Sequence, residues 1–173
     1  MSLKKLISVI KEDLQPKASF ITSYFFSPGF NLLVKFRIGQ YFYLKKGILS
    51  SVIAKLYKNK IIRRGCDISY GASIGKRLKF PHPLGIVIGD GVVIGDDVTI
   101  YQNVTLGSHG KNNELQKEYP ELMRSVKVYA GSMIIGSVII GENSVIGAMS
   151  LVNVSIPENS VAYGIPVKFK NKF

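Results

Sequence analysis

The sequence is poor in cysteine, tryptophan and histidine, and it lacks a long hydrophobic run. Among its 173 residues there are one Cys, no Trp and two His. The single Cys66 cannot form an internal disulfide, which excludes a disulfide-stabilised secreted scaffold and favours a reducing compartment. Charged residues or Gly interrupt every apolar stretch before the roughly 18 residues that a membrane span requires, and no signal peptide is recognisable. We therefore expect one folded cytoplasmic domain.

Acidic residues are scarce in the first part of the chain. Residues 1–64 contain 13 Lys or Arg but only Glu12 and Asp13, so this segment carries +11 of the formal charge of +12. Apolar residues recur there at helical spacing, with lysines between them, and Pro16 and Pro28 interrupt the pattern. The segment is predicted to form a basic, amphipathic region of two or three short helices.

Three interpretations of this basic region stay open. Its cations could be the solvated face of a helical cap, could contact an anionic membrane surface, or could contact nucleic acid. No nucleic-acid-binding motif accompanies the charge, so we expect no nucleic-acid partner. Peripheral contact with the inner face of the membrane through residues 1–64 remains a hypothesis.

Large aliphatic residues recur every six positions in the second part of the chain. They are Ile68, Ile74, Ile88, Ile94, Ile100, Leu106, Val128, Ile134, Ile140, Ile146 and Val152. This period indicates short parallel strands stacked coil upon coil, whereas a sandwich would show a period of two. Three hexads complete one triangular turn. We therefore predict a mostly β fold, in which a left-handed parallel β-helix of roughly four turns over residues 65–173 follows the short N-terminal α-helical region.

The period breaks twice, and solenoids usually place such insertions on the face that binds ligands. The first break lies at residues 80–85, where the aliphatic spacing is two residues too long. The second is the polar stretch 108–125, which predicts an extruded loop. His82 and His109 lie in these breaks, and imidazole is the side chain best suited to move a proton near neutral pH. Their positions alone leave open whether either is catalytic.

Longer motifs surround these breaks. They read R-I-G-Q-Y-F-Y from Arg37, C-D-I-S-Y-G-A-S-I-G from Cys66, P-H-P-L-G-I-V-I-G-D from Pro81, D-D-V-T-I-Y-Q-N-V-T-L-G-S-H-G-K from Asp96, and Tyr119-Pro120 followed by G-I-P-V-K near the end. In these motifs the chain resembles the serine O-acetyltransferases and their relatives among the hexapeptide-repeat acyltransferases. The resemblance implies an enzyme that moves an acetyl group from acetyl-CoA directly to a hydroxyl, without a covalent acyl-enzyme.

The resemblance also implies roles for three residues. His82 matches the general base that accepts the proton of the acceptor hydroxyl, and Asp67 matches the carboxylate that orients this imidazole. Ser108 lies in the segment whose backbone N–H groups stabilise the charge that develops on the thioester oxygen. The alternatives are structural: Asp67 as a corner residue that accepts from backbone amides, and His82 as a packed loop histidine.

In the same family, acetyl-CoA lies in a groove between coils of adjacent subunits. The matching positions here are Gly107, Ala130 and Ala148, with Lys168 available for a phosphate. The resemblance therefore implies acetyl-CoA as co-substrate, no metal, and a homotrimer with active sites between subunits. Val145 stands where the family has a lysine that contacts the nucleotide, which weakens that contact.

The acceptor side departs from the family pattern. Where the family holds serine with an aspartate, an arginine and a histidine, this chain has Pro81, Glu118 and Tyr119. Burying the charges of serine without partners costs several kcal/mol. We therefore expect a sugar hydroxyl in surface polysaccharide synthesis, on a free, nucleotide-linked or lipid-linked acceptor, with His109 and Tyr119 as candidate acceptor-site residues.

Two alternatives to the sugar acetyltransferase stay open. One is a serine O-acetyltransferase that makes O-acetylserine for cysteine synthesis. The other is a non-catalytic or metal-dependent β-helix protein. A zinc enzyme of this architecture requires three histidine ligands, and the chain has two histidines.

Overall fold

The structure is a computed structural model that describes residues 2–14, 18–45, 47–110 and 118–172. The described residues form helices first and short strands afterwards. The helices are α1 (Leu3–Asp13), α2 (Phe20–Phe26), α3 (Pro28–Lys45) and α4 (Ile48–Ile62). The strands are β1 (Asp67–Ile68), β2 (Ser73–Ile74), β3 (Val87–Ile88), β4 (Val93–Ile94), β5 (Thr99–Ile100), β6 (Thr105–Gly107), β7 (Glu121–Leu122), β8 (Lys127–Val128), β9 (Met133–Ile135), β10 (Ile139–Ile140), β11 (Val145–Ile146), β12 (Leu151–Val152), β13 (Ser160–Tyr163) and β14 (Lys168–Asn171).

The helical region contains one helix more than the expected two or three. Pro28 is the first residue of α3, where its missing N–H costs no hydrogen bond, so the proline starts a helix of 18 residues. The break between α3 and α4 falls at Gly47, whose φ of +117° suits a residue without a side chain. The sequence pattern identified the helices but not this additional break.

The strands stack into three sheets, in which every pairing except that of β13 with β14 is parallel. The first sheet contains β1, β3, β6, β9 and β12, the second contains β2, β4, β7 and β10, and the third contains β5, β8, β11, β13 and β14. From β1 to β13, consecutive strands fall in different sheets, so the chain runs around a three-sided prism. The prediction of a mostly β, parallel, hexapeptide-repeat fold after N-terminal helices is confirmed. The first sheet has five strands, so the stack has one coil more than the roughly four turns expected.

The repeated aliphatic residues form the core of the prism. In the first sheet Ile68 pairs in register with Ile88, and Ile88 pairs with Leu106. All three side chains are buried. Small residues two positions before the aliphatic close the corners: Ser132 Oγ, for example, donates to the carbonyl of Gly147 at 2.7 Å. The hydroxyl therefore satisfies a backbone acceptor where the chain turns.

The predicted loop at residues 108–125 includes more residues than the loop in the structure. Strand β7 lies inside it, and Leu122 pairs with Ile94 on one side and Ile140 on the other. Leu122 keeps the six-residue phase before Val128, but the polar residues around it hid this signal. Residues 111–117 lie outside the described residues.

The helices cover the first coil of the prism through a buried ion pair. Arg37 Nε on α3 lies 3.0 Å from Asp13 Oδ2 on α1, and both side chains are almost fully buried. Arg37 also donates to the carbonyl of Ile74 at 2.7 Å, and Asp13 accepts from the backbone N–H of Arg77 at 2.7 Å. These bonds join two helices to the corner after β2 and supply partners for backbone groups at the end of the stack.

A hairpin ends the described part of the prism. Strand β13 continues the third sheet in parallel with β11, and β14 returns antiparallel to β13. The hexad pattern did not predict this reversal because the six-residue period stops at Val152.

Candidate active site

Two edges of the prism carry the residues of interest. The edge between the third and first sheets, called the histidine edge, is formed by residues 64–66, 81–85, 101–103, 129–131 and 147–149. The edge between the first and second sheets, called the loop edge, is formed by residues 69–71, 89–91, 107–110, 118–120 and 135–138. In one chain the first sheet separates the two edges.

His82 lies exposed on the histidine edge, on a segment whose backbone is fixed. The N–H of Gly85 donates to the carbonyl of Gly65 at 2.9 Å, and the carbonyl of Leu84 accepts from the N–H of Asn103 at 2.8 Å. The carbonyl of His82 itself accepts from Leu84 at 2.9 Å. The extra residues of the first break therefore present the imidazole to the outside while the coils above and below hold the backbone. A packed loop histidine does not describe this side chain.

Two tyrosines continue the edge beyond His82. The ring of Tyr101 lies 6.3 Å from that of His82 between centroids, and it stacks on Tyr129 at 4.8 Å with an interplanar angle of 18°. The register explains the stack, because β5 and β8 are paired and each tyrosine directly follows its strand. The imidazole therefore stands at one end of an aromatic surface.

Asp67 begins β1 next to the histidine edge, and its side chain is 61% exposed. Its Oδ1 lies 2.5 Å from Nζ of Lys58 on α4, which also donates to the carbonyl of Ile68 at 2.7 Å. Among the described residues the structure gives no hydrogen bond between Asp67 and His82. The predicted carboxylate thus lies near the edge that carries His82, with a lysine as its partner.

Gly107, Ser108 and His109 lie on the loop edge. Gly107 ends β6, and its carbonyl accepts from the N–H of Gly136 at 2.9 Å. Ser108 Oγ accepts from the N–H of Gly110 at 3.3 Å. The ring of His109 lies against Gly136, where a Cβ would collide with it. The segment is therefore folded onto the coil below the insertion.

Tyr119 also lies on the loop edge and is half-buried. Its ring packs over Gly89 and Gly91, at both of which a Cβ would collide with the ring. The neighbouring Glu118 places Oε2 in a buried position where no described residue donates to it. The two candidate acceptor residues, His109 and Tyr119, therefore share the loop edge and are separated from His82 by the first sheet.

The residues proposed for the coenzyme fall into two groups. Ala130 and Ala148 lie on the histidine edge, where the carbonyl of Ala130 accepts from the N–H of Met149 at 2.9 Å. Lys168 is exposed on β14 opposite Tyr163, which packs against Gly147 at the end of the same edge. Gly107 belongs to the loop edge. One chain therefore brings His82, Ala130, Ala148 and Lys168 along one edge but does not bring Ser108 to them.

The sequence analysis missed Lys58, Tyr101, Tyr129 and Gln102 as residues of this edge. Tyr101 and Tyr129 each follow the inward aliphatic of a hexad, and that shared position was a usable signal. Gln102 places Oε1 in a buried position without a donor among the described residues, next to Tyr101. Lys58 gave no signal, because its contact with Asp67 depends on how α4 packs against β1.

Cys66 lies beneath the histidine edge but is unsuited to nucleophilic chemistry. The thiol is buried and donates to the carbonyl of Pro83 at 3.3 Å. Burial raises the pKa of the Cys66 thiol. Since the thiolate is the reactive form, a direct transfer without this cysteine is favoured.

Three further features of the described ranges bear on function. No group of three or more His, Cys, Asp or Glu side chains suited to a metal ion occurs there. None of the described helices has the length and apolar character needed to cross a membrane. A cavity of about 590 Å³ lies between the helices and the first coils, where Phe30, Phe80 and Pro81 are among its lining residues, whereas His82 is not.

Comparison with known proteins gives concordant results. The family described as bacterial transferase hexapeptide (six repeats) matches residues 119–161. A serine acetyltransferase of Synechococcus elongatus is 36% identical over 140 residues, covering 80% of this chain and 55% of that protein. One of Staphylococcus epidermidis is 44% identical over 132 residues, covering 69% of this chain and 61% of that protein. The crystal structure of a Brucella abortus serine acetyltransferase in complex with coenzyme A superposes with a TM-score of 0.82 at 26% identity, covering 98% of this chain and 69% of that one.

The matches cover most of this chain but only part of its relatives. The chain spans little more than half the length of the two relatives compared by sequence. The fold similarity to the structural neighbour covers 98% of this chain, helices included. Residues 119–161 thus match the bacterial transferase hexapeptide family, and most of the chain is similar in sequence and in fold to proteins named serine acetyltransferase.

Proposed function

We propose that the protein is an acetyl-CoA-dependent O-acetyltransferase in which His82 is the general base. The observation that carries the proposal is the position of His82. An exposed imidazole on a fixed backbone stands at one end of the edge that also holds Ala130 and Ala148. The homologues named serine acetyltransferase, one of them solved with coenzyme A, support this assignment.

The proposed reaction is a direct transfer. The imidazole of His82 takes the proton of the acceptor hydroxyl as the oxygen attacks the thioester carbonyl carbon. The carbonyl oxygen becomes an oxyanion, for which the backbone N–H of Ser108 is the proposed donor. The intermediate then collapses: the C–S bond breaks, the imidazolium returns its proton to the sulfur, and the products are an O-acetyl ester and coenzyme A.

We assign the histidine edge to the coenzyme. The small side chains of Ala130 and Ala148 let a narrow pantetheine arm approach the backbone, and Lys168 at the far end is suited to a phosphate. Asp67 is assigned to orient the imidazole of His82. This role requires the carboxylate to share or exchange its contact with Lys58 when substrates bind.

A site built from both edges requires more than one chain. His82 and Ser108 lie on opposite sides of the first sheet, so the loop edge of a second chain has to meet the histidine edge of the first. We infer that the coil is left-handed and that three chains associate in this way around a threefold axis. The neighbouring chain would then supply Gly107, His109 and Tyr119 to the active site.

L-Serine is the first acceptor to test, because the homologues compared above are named serine acetyltransferase. The expectation of a sugar acceptor finds no support in these comparisons. A sugar hydroxyl is kept as the second candidate for one reason. Pro81 carries no charge and Glu118 is acidic, so neither offers the partners that a buried serine zwitterion needs.

The experiment measures thiol release from acetyl-CoA with serine and with a panel of free, nucleotide-linked and lipid-linked sugars. We expect turnover with one acceptor class and a loss of about 10² or more in kcat for His82→Ala, the typical contribution of a general base. Coenzyme binding and the oligomeric mass should be unchanged in that variant. Glu158→Ala, at an exposed residue outside both edges, is the control and should keep the wild-type rate. Near-normal turnover by His82→Ala would overturn the assignment of the base, and turnover with sugars alone would replace serine as acceptor.

A further inference from the structure

We propose that the tip of the α3–α4 hairpin docks on an anionic lipid surface. The tip carries an apolar patch formed by Leu44, Ile48, Leu49, Val52 and Leu56, here called the tip patch. This proposal concerns where the protein binds and does not depend on the proposed reaction.

The tip patch is exposed to an unusual degree for large aliphatic side chains. Ile48 is 88% exposed and Leu49 is 74% exposed, and the other three are about half exposed. On the opposite side of α4, Ala54 and Ile61 are buried. A helix that is apolar on both sides buries one side in its own protein and leaves the other for a second apolar environment.

The charge around the patch has one sign. Helices α2, α3 and α4 contain no acidic residue. The acidic side chains of α1 are already engaged, since Asp13 pairs with Arg37 and Glu12 Oε2 lies 2.9 Å from Lys76 Nζ. Lys45, Lys55 and Lys60 are exposed on the hairpin. The surface therefore presents cations that the helical region does not neutralise.

The exposed apolar side chains of the tip patch and the positive charge around them together favour an anionic lipid bilayer as the binding partner. A second copy of the same surface would bring like charges together, which disfavours self-association. An anionic bilayer supplies both an apolar interior for the aliphatic side chains and negative headgroups for the lysines. Each basic residue near such a surface strengthens binding, and its contribution falls as the salt concentration rises. The hairpin thus has the chemistry of a peripheral membrane contact.

The position of the tip suits such a contact. Helix α4 ends at Ile62 beside the histidine edge, and the hydroxyl of Tyr70 on the loop edge donates to the carbonyl of Ala54 at 3.1 Å, so the half of α4 that begins at Ile48 lies on the loop-edge side of the first coil. A helix of 15 residues is about 22 Å long. Docking at the tip would therefore leave the histidine edge open to substrates.

Flotation with vesicles tests the proposal. The probes are vesicles of phosphatidylcholine alone and vesicles of equal parts phosphatidylcholine and phosphatidylglycerol, at about 0.1 M and about 1 M salt. The wild-type protein should float with the anionic vesicles at the lower salt concentration and dissociate at the higher one. The double variant Ile48→Ser, Leu49→Ser should bind at least about tenfold more weakly, because it removes apolar groups that enter the bilayer.

A matched control uses equally exposed residues elsewhere. Ile21 and Phe25 on α2 are 68% and 73% exposed, and α2 lies at the other end of α3. The variant Ile21→Ser, Phe25→Ser should float like the wild type. Equal flotation by the tip variant, or its loss only in the α2 variant, would overturn the proposal. So would binding that ignores phosphatidylglycerol.

Sedimentation velocity gives the second readout. The tip variant should have the same oligomeric mass as the wild type. If the mass of the wild type is twice that of the tip variant, and vesicles bind neither, the tip patch is a contact between copies of the chain and the lipid proposal is wrong. Circular dichroism of each variant confirms that the substitutions leave the fold intact.

Discussion

The ammonium group of Lys58 lies 2.5 Å from Oδ1 of Asp67, at the start of the first strand and beside the histidine edge. This contact is compatible with two roles for the Asp67 carboxylate. A carboxylate that only anchors α4 to β1 and a carboxylate that also orients His82 would have the same position in the structure. They differ in what substitution does to the reaction.

Asp67→Asn should lower kcat by about tenfold to a hundredfold if the carboxylate orients the base, because a neutral amide stabilises an imidazolium less well. Lys58→Met removes the same ion pair but keeps the carboxylate, so its kcat should stay within about threefold of the wild type. Both variants should unfold close to the wild-type temperature, since an exposed ion pair contributes about 0–1 kcal/mol. Steady-state kinetics and thermal melts of the three proteins check this. If Asp67→Asn and Lys58→Met lowered kcat equally, the carboxylate of Asp67 would only hold α4 in place and would not orient the base.

The stack of Tyr101 on Tyr129 predicts an effect on the coenzyme. Tyr129→Ala should raise KM for acetyl-CoA by about tenfold, because the loss of an aromatic contact costs roughly 1.4 kcal/mol. Tyr129→Phe keeps the ring and should behave like the wild type. Initial rates at varied acetyl-CoA provide the measurement. A fall in kcat at constant KM would instead assign the tyrosines to the reacting groups.

The buried pair of Arg37 and Asp13 predicts a large effect on stability. Arg37→Leu leaves the Asp13 carboxylate buried without its cation and should lower the free energy of unfolding by about 3–5 kcal/mol. The double variant Arg37→Leu, Asp13→Leu should recover part of this loss, because neither side chain then has an unpaired charge. Urea titration of the three proteins measures the difference. A single variant as stable as the wild type would show that the helices do not depend on this pair.

Acid stability should depend on Asp97. The Arg77 side chain, which donates to Asp97 at 2.6 Å, holds the pKa of this carboxyl below its usual value. A depressed pKa in the folded state stabilises the protein above the unfolded-state pKa of about 3.9, and this contribution is lost progressively as pH falls from that value through the lower folded-state pKa.

The corresponding measurement compares melting temperatures of the wild type and Asp97→Asn as a function of pH. The variant should melt at a lower temperature at pH near 7, and the difference should shrink as pH falls below about 3.9. Glu142→Gln, at an exposed carboxyl away from the contacts of Arg77, serves as control. A difference that grows toward low pH would contradict the assigned direction.

The six-residue repeat made the core predictable, whereas features outside the regular repeat could not be predicted. Ile68, Ile88 and Leu106 recur at intervals that only a coil can bury together, so periodicity identified them. Leu122 obeys the same rule, but one hexad among polar residues is too short a signal. The antiparallel return of β14 depends on pairing between strands beyond the repeat, which spacing cannot reveal.

For the candidate site, sequence reasoning located segments better than partners. The extra residues around His82 and the exposure of its imidazole follow from the break in the period. That Asp67 meets Lys58, and that Tyr119 packs over Gly89, depends on how distant elements approach each other. Such contacts are tertiary, and no local pattern encodes them.

The hairpin of β13 and β14 has a consequence for the growth of the stack. Short parallel coils are the geometry from which fibrils elongate, because each free end offers unpaired amides to the next chain. Here β14 occupies the outer edge of β13, and the helices lie over the first coil. Deleting β14 should therefore turn a discrete molecule into one prone to end-to-end polymerisation.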